Sequence, residues 1–257
     1  MLLSSFSETA LTALELQAST YERTGVTFVE LLSLLAGTKK LVRLVINPNR
    51  LLEVEKSMAL AGLQVAISPK ELVTSQGNMN GDKFQEWSSL TGRMPRAIYI
   101  SQDRQISELA ASLDSKGDDA SFADLLGYPS CCYSAYDPSR YRNWWYWISH
   151  ATRNKSNLPS TMNRISRLYS QASFLYDYFP CSLDCSASTL LAEFNRTILL
   201  THGCIELVSK WDSLQSGRFL IFPDCVMKHT EHGWKNKFGL ELDRDYKDAI
   251  KLEFRFP

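Results

Sequence analysis

The stretch Leu41-Val42-Arg43-Leu44-Val45-Ile46, closed by Asn47-Pro48-Asn49, decides the fold class. A short apolar run rich in β-branched residues, ended by turn formers, reads as a buried strand. Working outward, Leu51 to Ala61 returns to helical spacing and stops at Gly62. Leu63-Gln64-Val65-Ala66-Ile67 is a second strand, closed by Ser68-Pro69, and Arg96-Ala97-Ile98-Tyr99-Ile100 is a third. Ser101 or Asp103 can cap a helix that runs on to about Leu113. Upstream, Thr9 to Thr20 and Thr27 to Ala36 read as helices. Thr27 and Glu30 have capping-box spacing in the second, and Gly37 is its stop. Strands alternating with helices suggest βαβ units. The expectation is an α/β fold: a small, mostly parallel sheet with flanking helices. It occupies a first unit, residues 1–115, followed by a helix-rich cysteine-bearing half, residues 116–257, packed with it as one body.

The 257 residues suffice for a real hydrophobic core. Lys plus Arg equals Asp plus Glu, 28 against 28. This balance argues against a general nucleic-acid binder, whose affinity comes largely from neutralised phosphates. No Gly-x-Gly-x-x-Gly turn or Gly-x-x-x-x-Gly-Lys loop follows any strand, so nucleotide binding is not indicated. Gly77-Asn78-Met79-Asn80-Gly81 reads as a connection. No apolar run reaches the roughly 18 residues of a membrane span. Met1 to Glu8 has neither a basic segment nor a sustained apolar one, so it does not read as a signal peptide. The expected location is the cytoplasm. Thiols stay reduced there, and clustered cysteines more often bind metal or do redox work than form structural disulfides.

Ser115-Lys116-Gly117-Asp118-Asp119 is a polar link, and Ser121 to Leu126 a short helix after it. Met162 to Phe174 and Ser186 to Trp211 read as helices. The second is long, with Leu190, Leu191, Phe194, Ile198, Leu199 and Ile205 near helical spacing. Phe219 to Phe222 and Ile250 to Phe256 read as strands, the latter with the alternation of one buried and one wet face.

Two cysteine motifs stand out in this half: Gly127-Tyr128-Pro129-Ser130-Cys131-Cys132 and Pro180-Cys181-Ser182-Leu183-Asp184-Cys185-Ser186. A thiolate is both metal ligand and nucleophile, and its surroundings decide the role. Cys181 and Cys185 share one face if their segment is helical. Pro180 then suits the helix start, Ser182 or Asp184 caps it, and the macrodipole favours an anionic sulfur on Cys181. Cys131 and Cys132 are adjacent, and a loop after Gly-Tyr-Pro can aim one or both at a common centre. Zinc sites usually show Cys-x2–4-Cys in both halves, which one half fits and the other does not. Iron–sulfur proteins use four Cys at varied spacing. Three readings stay open: an iron–sulfur cluster or zinc on Cys131, Cys132, Cys181 and Cys185; a metal-free vicinal redox pair; or small buried residues with no joint role.

The run from Leu125 to Tyr136 together with that from Phe179 to Ser188 resembles a family of uncharacterised prokaryotic proteins. That family pairs a Leu-Gly-Tyr-Pro-x-Cys-Cys segment with a later Pro-Cys-x-x-Asp-Cys segment. The resemblance covers residues 95–200, and six or more positions agree in each motif. It implies a shared cysteine site and adds no substrate.

Other candidates carry weaker signals. Cys204 falls within the long predicted helix and Cys225 follows a strand; both read as fillers. His202 precedes Cys204 by two, a spacing that separates side chains on a helix. His229 and His232 have chelating spacing only on a helix, and His150 reads as structural. Arg140, Arg142 and Arg153 interleave with Tyr141, Trp144, Trp145, Tyr146 and Trp147, as single-strand binders do, but the zero net charge argues against a nucleic-acid partner and a core face with snorkelling arginines explains the same residues. Residues 154–160 form a loop that can cover the site, and Asn163, Arg164 and Arg167 can hold an anion. The expected function is that of a metal- or iron–sulfur-dependent enzyme, or enzyme component, built on the four cysteines. Asp184 serves as cap or outer shell, and Tyr128 and Pro129 shape the loop. Its substrate is unknown, and the partner is a small molecule or a protein. The alternatives are a non-catalytic protein with a zinc or cysteine staple and a partner-binding surface, or a metal-free thiol oxidoreductase.

Overall fold

The computed structural model describes residues 24–46, 48–71, 95–136, 158–162, 178, 180–221, 226–231, 233–236 and 249–255. They fall into two units, Met1–Ser130 and Cys131–Pro257. Among the described residues no helix is long and apolar enough to cross a membrane.

In the first unit, helix α1 (Thr24–Leu35) precedes strand β1 (Val42–Ile46), helix α2 (Leu51–Leu60) and strand β2 (Gln64–Glu71). Strand β3 (Arg96–Ser101) follows, then helices α3 (Arg104–Lys116) and α4 (Asp119–Leu125). The strands stand where the apolar runs predict them, but their order is β1-β3-β2 and both pairings are antiparallel. The expectation of a mostly parallel sheet is therefore overturned. β1 and β2 do run the same way, as a strand–helix–strand unit requires. β3 then inserts between them, antiparallel to both. Its central place buries Ala97, Ile98, Tyr99 and Ile100 completely. A strand buried on both faces reads as the same continuous apolar run whichever way its neighbours point.

Asp103 caps α3, its carboxylate accepting the Gln105 N–H at 2.8 Å. Ser101 holds the turn before it, accepting from the Asp103 N–H and donating to the Lys40 carbonyl. On the sheet face Tyr99 donates to Asp114 of α3 and meets Phe122 of α4 edge to face, ring centroids 5.7 Å apart. The Thr27–Glu30 capping box is not formed. α1 begins three residues earlier, Thr27 is buried inside it, and the buried Glu30 pairs with Lys39 instead.

The second unit contains a short helix α5 (Ser130–Ala135), which starts at the unit boundary, strand β4 (Leu158–Pro159), and helices α6 (Ser186–Thr201) and α7 (Ile205–Gln215). Strands β5 (Gly217–Ile221), β6 (Val226–Thr230), β7 (Gly233–Asn236) and β8 (Ile250–Arg255) follow. The sheet order is β4-β8-β5-β6-β7, with β4 parallel to β8 and the other pairs antiparallel. Among its described residues this half is a mixed five-stranded sheet with helices, not simply helix-rich. β8 keeps the predicted alternation, with Leu252 and Phe254 buried and Lys251 exposed. Phe254 meets Phe219 of β5 edge to face at 5.8 Å, a geometry worth about 0.5–1.5 kcal/mol beyond its burial.

The predicted helix from Ser186 to Trp211 is two helices. Gly203 takes φ +79°, its N–H reaches the Leu200 carbonyl, and the Cys204 N–H reaches that of Leu199. These two bonds are the glycine-dependent helix ending that satisfies the last carbonyls. On an unbroken helix Arg196 and Asp212 would lie about 24 Å apart along the axis. The turn folds α7 back so that they form a two-pronged ion pair, with N–O distances of 3.2 and 2.6 Å.

The Thr9–Thr20 helix, the Gly77–Gly81 loop, the Arg140–Arg153 segment with His150, residues 154–157, Asn163, Arg164, Arg167, Cys225 and His232 lie outside the described residues. So does all of the Met162–Phe174 helix except Met162, which ends a turn of 3-10 helix.

Candidate metal centre

The first cysteine motif is a helix ending followed by a helix start. Gly127, at φ +74°, closes α4: its N–H bonds to the Asp124 carbonyl and the Tyr128 N–H to that of Ala123. Tyr128 packs on the cluster of Leu41, Ala97, Tyr99, Ala110 and Leu126. Pro129 precedes Ser130, where α5 begins, so Cys131 and Cys132 ride on its first turn rather than on a loop. Cys132 is buried and Cys131 exposed.

The second motif is a turn, not a helix. The Cys185 N–H bonds to the Ser182 carbonyl at 3.2 Å, and Leu183 beneath the turn is fully buried. α6 starts at Ser186, with Cys185 itself in the capping position. Cys185, not Cys181, therefore sits at the helix start. Asp184 is exposed and does not cap the helix. It accepts from the Ser182 hydroxyl, and its own N–H donates back to that oxygen.

These two pieces bring the four predicted sulfurs together, all within 4.8 Å of one another. Cys131 lies 3.9 Å from Cys132 and 3.7 Å from Cys185, and Cys132 lies 3.6 Å from Cys185. Two donors converge on the buried Cys132 sulfur: the Cys181 backbone N–H at 3.4 Å and Ser188 Oγ at 3.2 Å. Tyr178 donates to Ser188 Oγ at 2.9 Å, which leaves the serine proton for the sulfur. Ser188 is fully buried and Tyr178 nearly so. The relay Tyr178–Ser188–Cys132 suits a sulfur that carries negative charge.

Burial works against that charge. It pushes the Cys132 thiol far above the ordinary range, opposed by Ser188 and the Cys181 N–H. Burial, with the neighbouring Cys185, raises Cys181 to about 11. At Cys185 burial also raises the pKa, but the Ser188 hydroxyl and N–H, with Cys132 and Cys181, outweigh it and bring the thiol to about 7. The Cys185 side chain makes no cap hydrogen bond, so the helix-start N–H acts on it as a dipole rather than through a formed bond. Tyr178 is held up by burial and by the cysteines around it. A bound cation relieves this conflict, because it offsets in one step the cost of ionising several buried thiols.

The remaining candidates stand apart from the cluster. Cys204 lies between α6 and α7, its thiol directed at the His202 carbonyl. His202 ends α6. His229 is on strand β6, in register with Trp234, with the Arg218 guanidinium about 3.1 Å from its ring, so His229 does not lie on the helix its chelating spacing called for. Ser188 and Tyr178 escaped the sequence reading. The available signal was spacing: Ser188 follows Cys185 by three, one helical turn, and is a serine on the buried stripe of Ser188, Ala192, Asn195, Ile198 and Leu199. Leu190 and Phe194, counted there as part of the apolar spacing, are exposed.

Searches against protein-family models, curated proteins and solved structures find no match for the chain.

Proposed function

We propose that the chain is a zinc protein in which Cys131, Cys132, Cys181 and Cys185 bind one ion as thiolates, in a structural role. The carrying observation is the sulfur spacing. A regular tetrahedron with edges of about 3.8 Å has its centre about 2.3 Å from each corner, the zinc–thiolate bond length. The three sulfur pairs at 3.6, 3.7 and 3.9 Å match that edge. In an iron–sulfur cluster the cysteines surround a body of several atoms. Sulfurs all within 4.8 Å of one another enclose room for a single ion only, which supports zinc over a cluster. Four protein thiolates fill zinc's tetrahedron and leave no position for substrate, as in structural rather than catalytic sites. That favours the staple over the enzyme. The ion would clamp the first turn of α5 to the start of α6 across about fifty residues of chain.

A cytoplasmic location accords with this reading, since the four thiols are free and a reducing compartment keeps them so. The resemblance to the prokaryotic family belongs to the same proposal. The glycine of the first motif ends a helix just before the ligand turn, and every cysteine of both motifs serves as a ligand.

The test is elemental analysis after anaerobic purification, with X-ray absorption at the metal edge. One zinc per chain with four sulfurs near 2.3 Å is the expected result. Iron with a second iron in its scattering shell refutes the zinc reading, and a metal-free protein refutes the centre altogether. Cys181→Ala should lose the ion; unchanged metal content removes Cys181 from the ligand set.

A further inference from the structure

The four sulfurs of the centre are not equivalent. Cys132 and Cys185 are buried, Cys181 is partly buried, and Cys131 alone is exposed. Cys132 is shielded further by the Ser188 hydroxyl and the Cys181 N–H. Among the described residues no N–H or O–H donor reaches the Cys131 sulfur, whose neighbours are Cys132 and Cys185. Hydrogen bonds to a metal-bound thiolate draw off its charge and blunt its nucleophilicity, and burial bars the attacker. Both protections are missing at one ligand.

Resting on the zinc reading above, we propose that Cys131 is an oxidative modification site through which hydrogen peroxide opens the centre and releases its metal. The Cys131 thiolate attacks one peroxide oxygen. A sulfur–oxygen bond forms, the oxygen–oxygen bond breaks, and hydroxide leaves. The Cys185 thiolate, 3.7 Å away, then attacks the resulting sulfenic sulfur and expels a second hydroxide. The peroxide gains two electrons, one from each sulfur, and a Cys131–Cys185 disulfide closes. Cys185 is the partner rather than Cys132, because a bridge between adjacent residues closes a small ring that strains the intervening peptide. Cys132 is also held in place by its two donors. The oxidant never needs to reach buried sulfur, since Cys185 attacks from inside. Two thiolates then remain, too few to hold zinc, and the clamp between α5 and α6 passes from an ion to a covalent bond.

The experiment uses the full chain, purified anaerobically and assayed for zinc beforehand. One equivalent of a maleimide is added, and the modified cysteine is located by fragment mass spectrometry. The Cys131 adduct should exceed those of the other three ligands combined. A second sample receives hydrogen peroxide in the presence of a chromogenic chelator. One zinc should appear per disulfide formed, and the linked peptides should join Cys131 to Cys185. Zinc present with the first adduct on another ligand, zinc retained after peroxide, or a disulfide lacking Cys131 overturns the inference and leaves the metal reading intact. A chain that carries no zinc overturns the metal reading and this inference with it.

Discussion

Zinc binding to the metal-free protein should release at least two protons per ion at pH 7, and the number follows from the burial of the sulfurs. Zinc takes thiolates, so every ligand thiol still protonated must lose its proton on binding. Burial holds Cys132 far above the ordinary thiol range and raises Cys181 to about 11, so both are protonated at pH 7. Cys185 sits near 7 and is half ionised there. One proton from each of the first two and half from the third make about two and a half. The sign is fixed: the bound form carries fewer protons, so affinity is high at alkaline pH and is lost as pH falls. Between about pH 8 and 10 the three sulfurs give a loss of about a hundredfold per pH unit as pH falls, steepening toward a thousandfold below about pH 6 as Cys185 takes up its proton. Calorimetric titration in two buffers of different ionisation enthalpy counts the protons directly. Fewer than two per zinc would mean that Cys132 and Cys181 are not both ligands, or that their burial does not suppress ionisation as argued.

Three further outcomes are expected. Ser188→Ala removes the hydroxyl that contacts the Cys132 sulfur and accepts from Tyr178, so zinc affinity should fall about 10–100-fold, as for other ligand-orienting groups; chelator competition measures it, and unchanged affinity would mean the relay is mere packing. Gly203→Ala meets no atom within 4 Å, so its cost is backbone strain at φ +79°, about 1–2 kcal/mol; a urea midpoint that rises instead would refute the helix break there. Arg196→Met should cost under about 1 kcal/mol, because the pair with Asp212 keeps partial contact with water; a loss of several kcal/mol would show that the pair, rather than apolar packing, holds α7 against α6.

Much of this protein was legible in its residues. Strand positions follow from apolar runs such as Leu41–Ile46 and Ala97–Ile100, and helix ends from Gly37 and Gly62, because these are local properties of a chain segment. The cysteine cluster was legible too, because two close thiol pairs stand out as residue spacing, although the loop expected under Cys131 and Cys132 is a helix start and the helix expected under Cys181 and Cys185 is a turn. Strand direction was not: an apolar run has no arrow, and β3 reached its place between β1 and β2 through a long connection that constrains neither orientation. The break at Gly203 was missed because a lone glycine in helical spacing signals an ending only when the following segment finds somewhere to fold back, here onto the Arg196–Asp212 pair. Composition identified which sulfurs are chemically able to bind a metal. Only three-dimensional packing set Cys131, Cys132 and Cys185 3.6–3.9 Å apart with Cys181 within 4.8 Å, buried some and exposed Cys131, because distance and solvent access belong to segments far apart in the chain that meet only once it has folded.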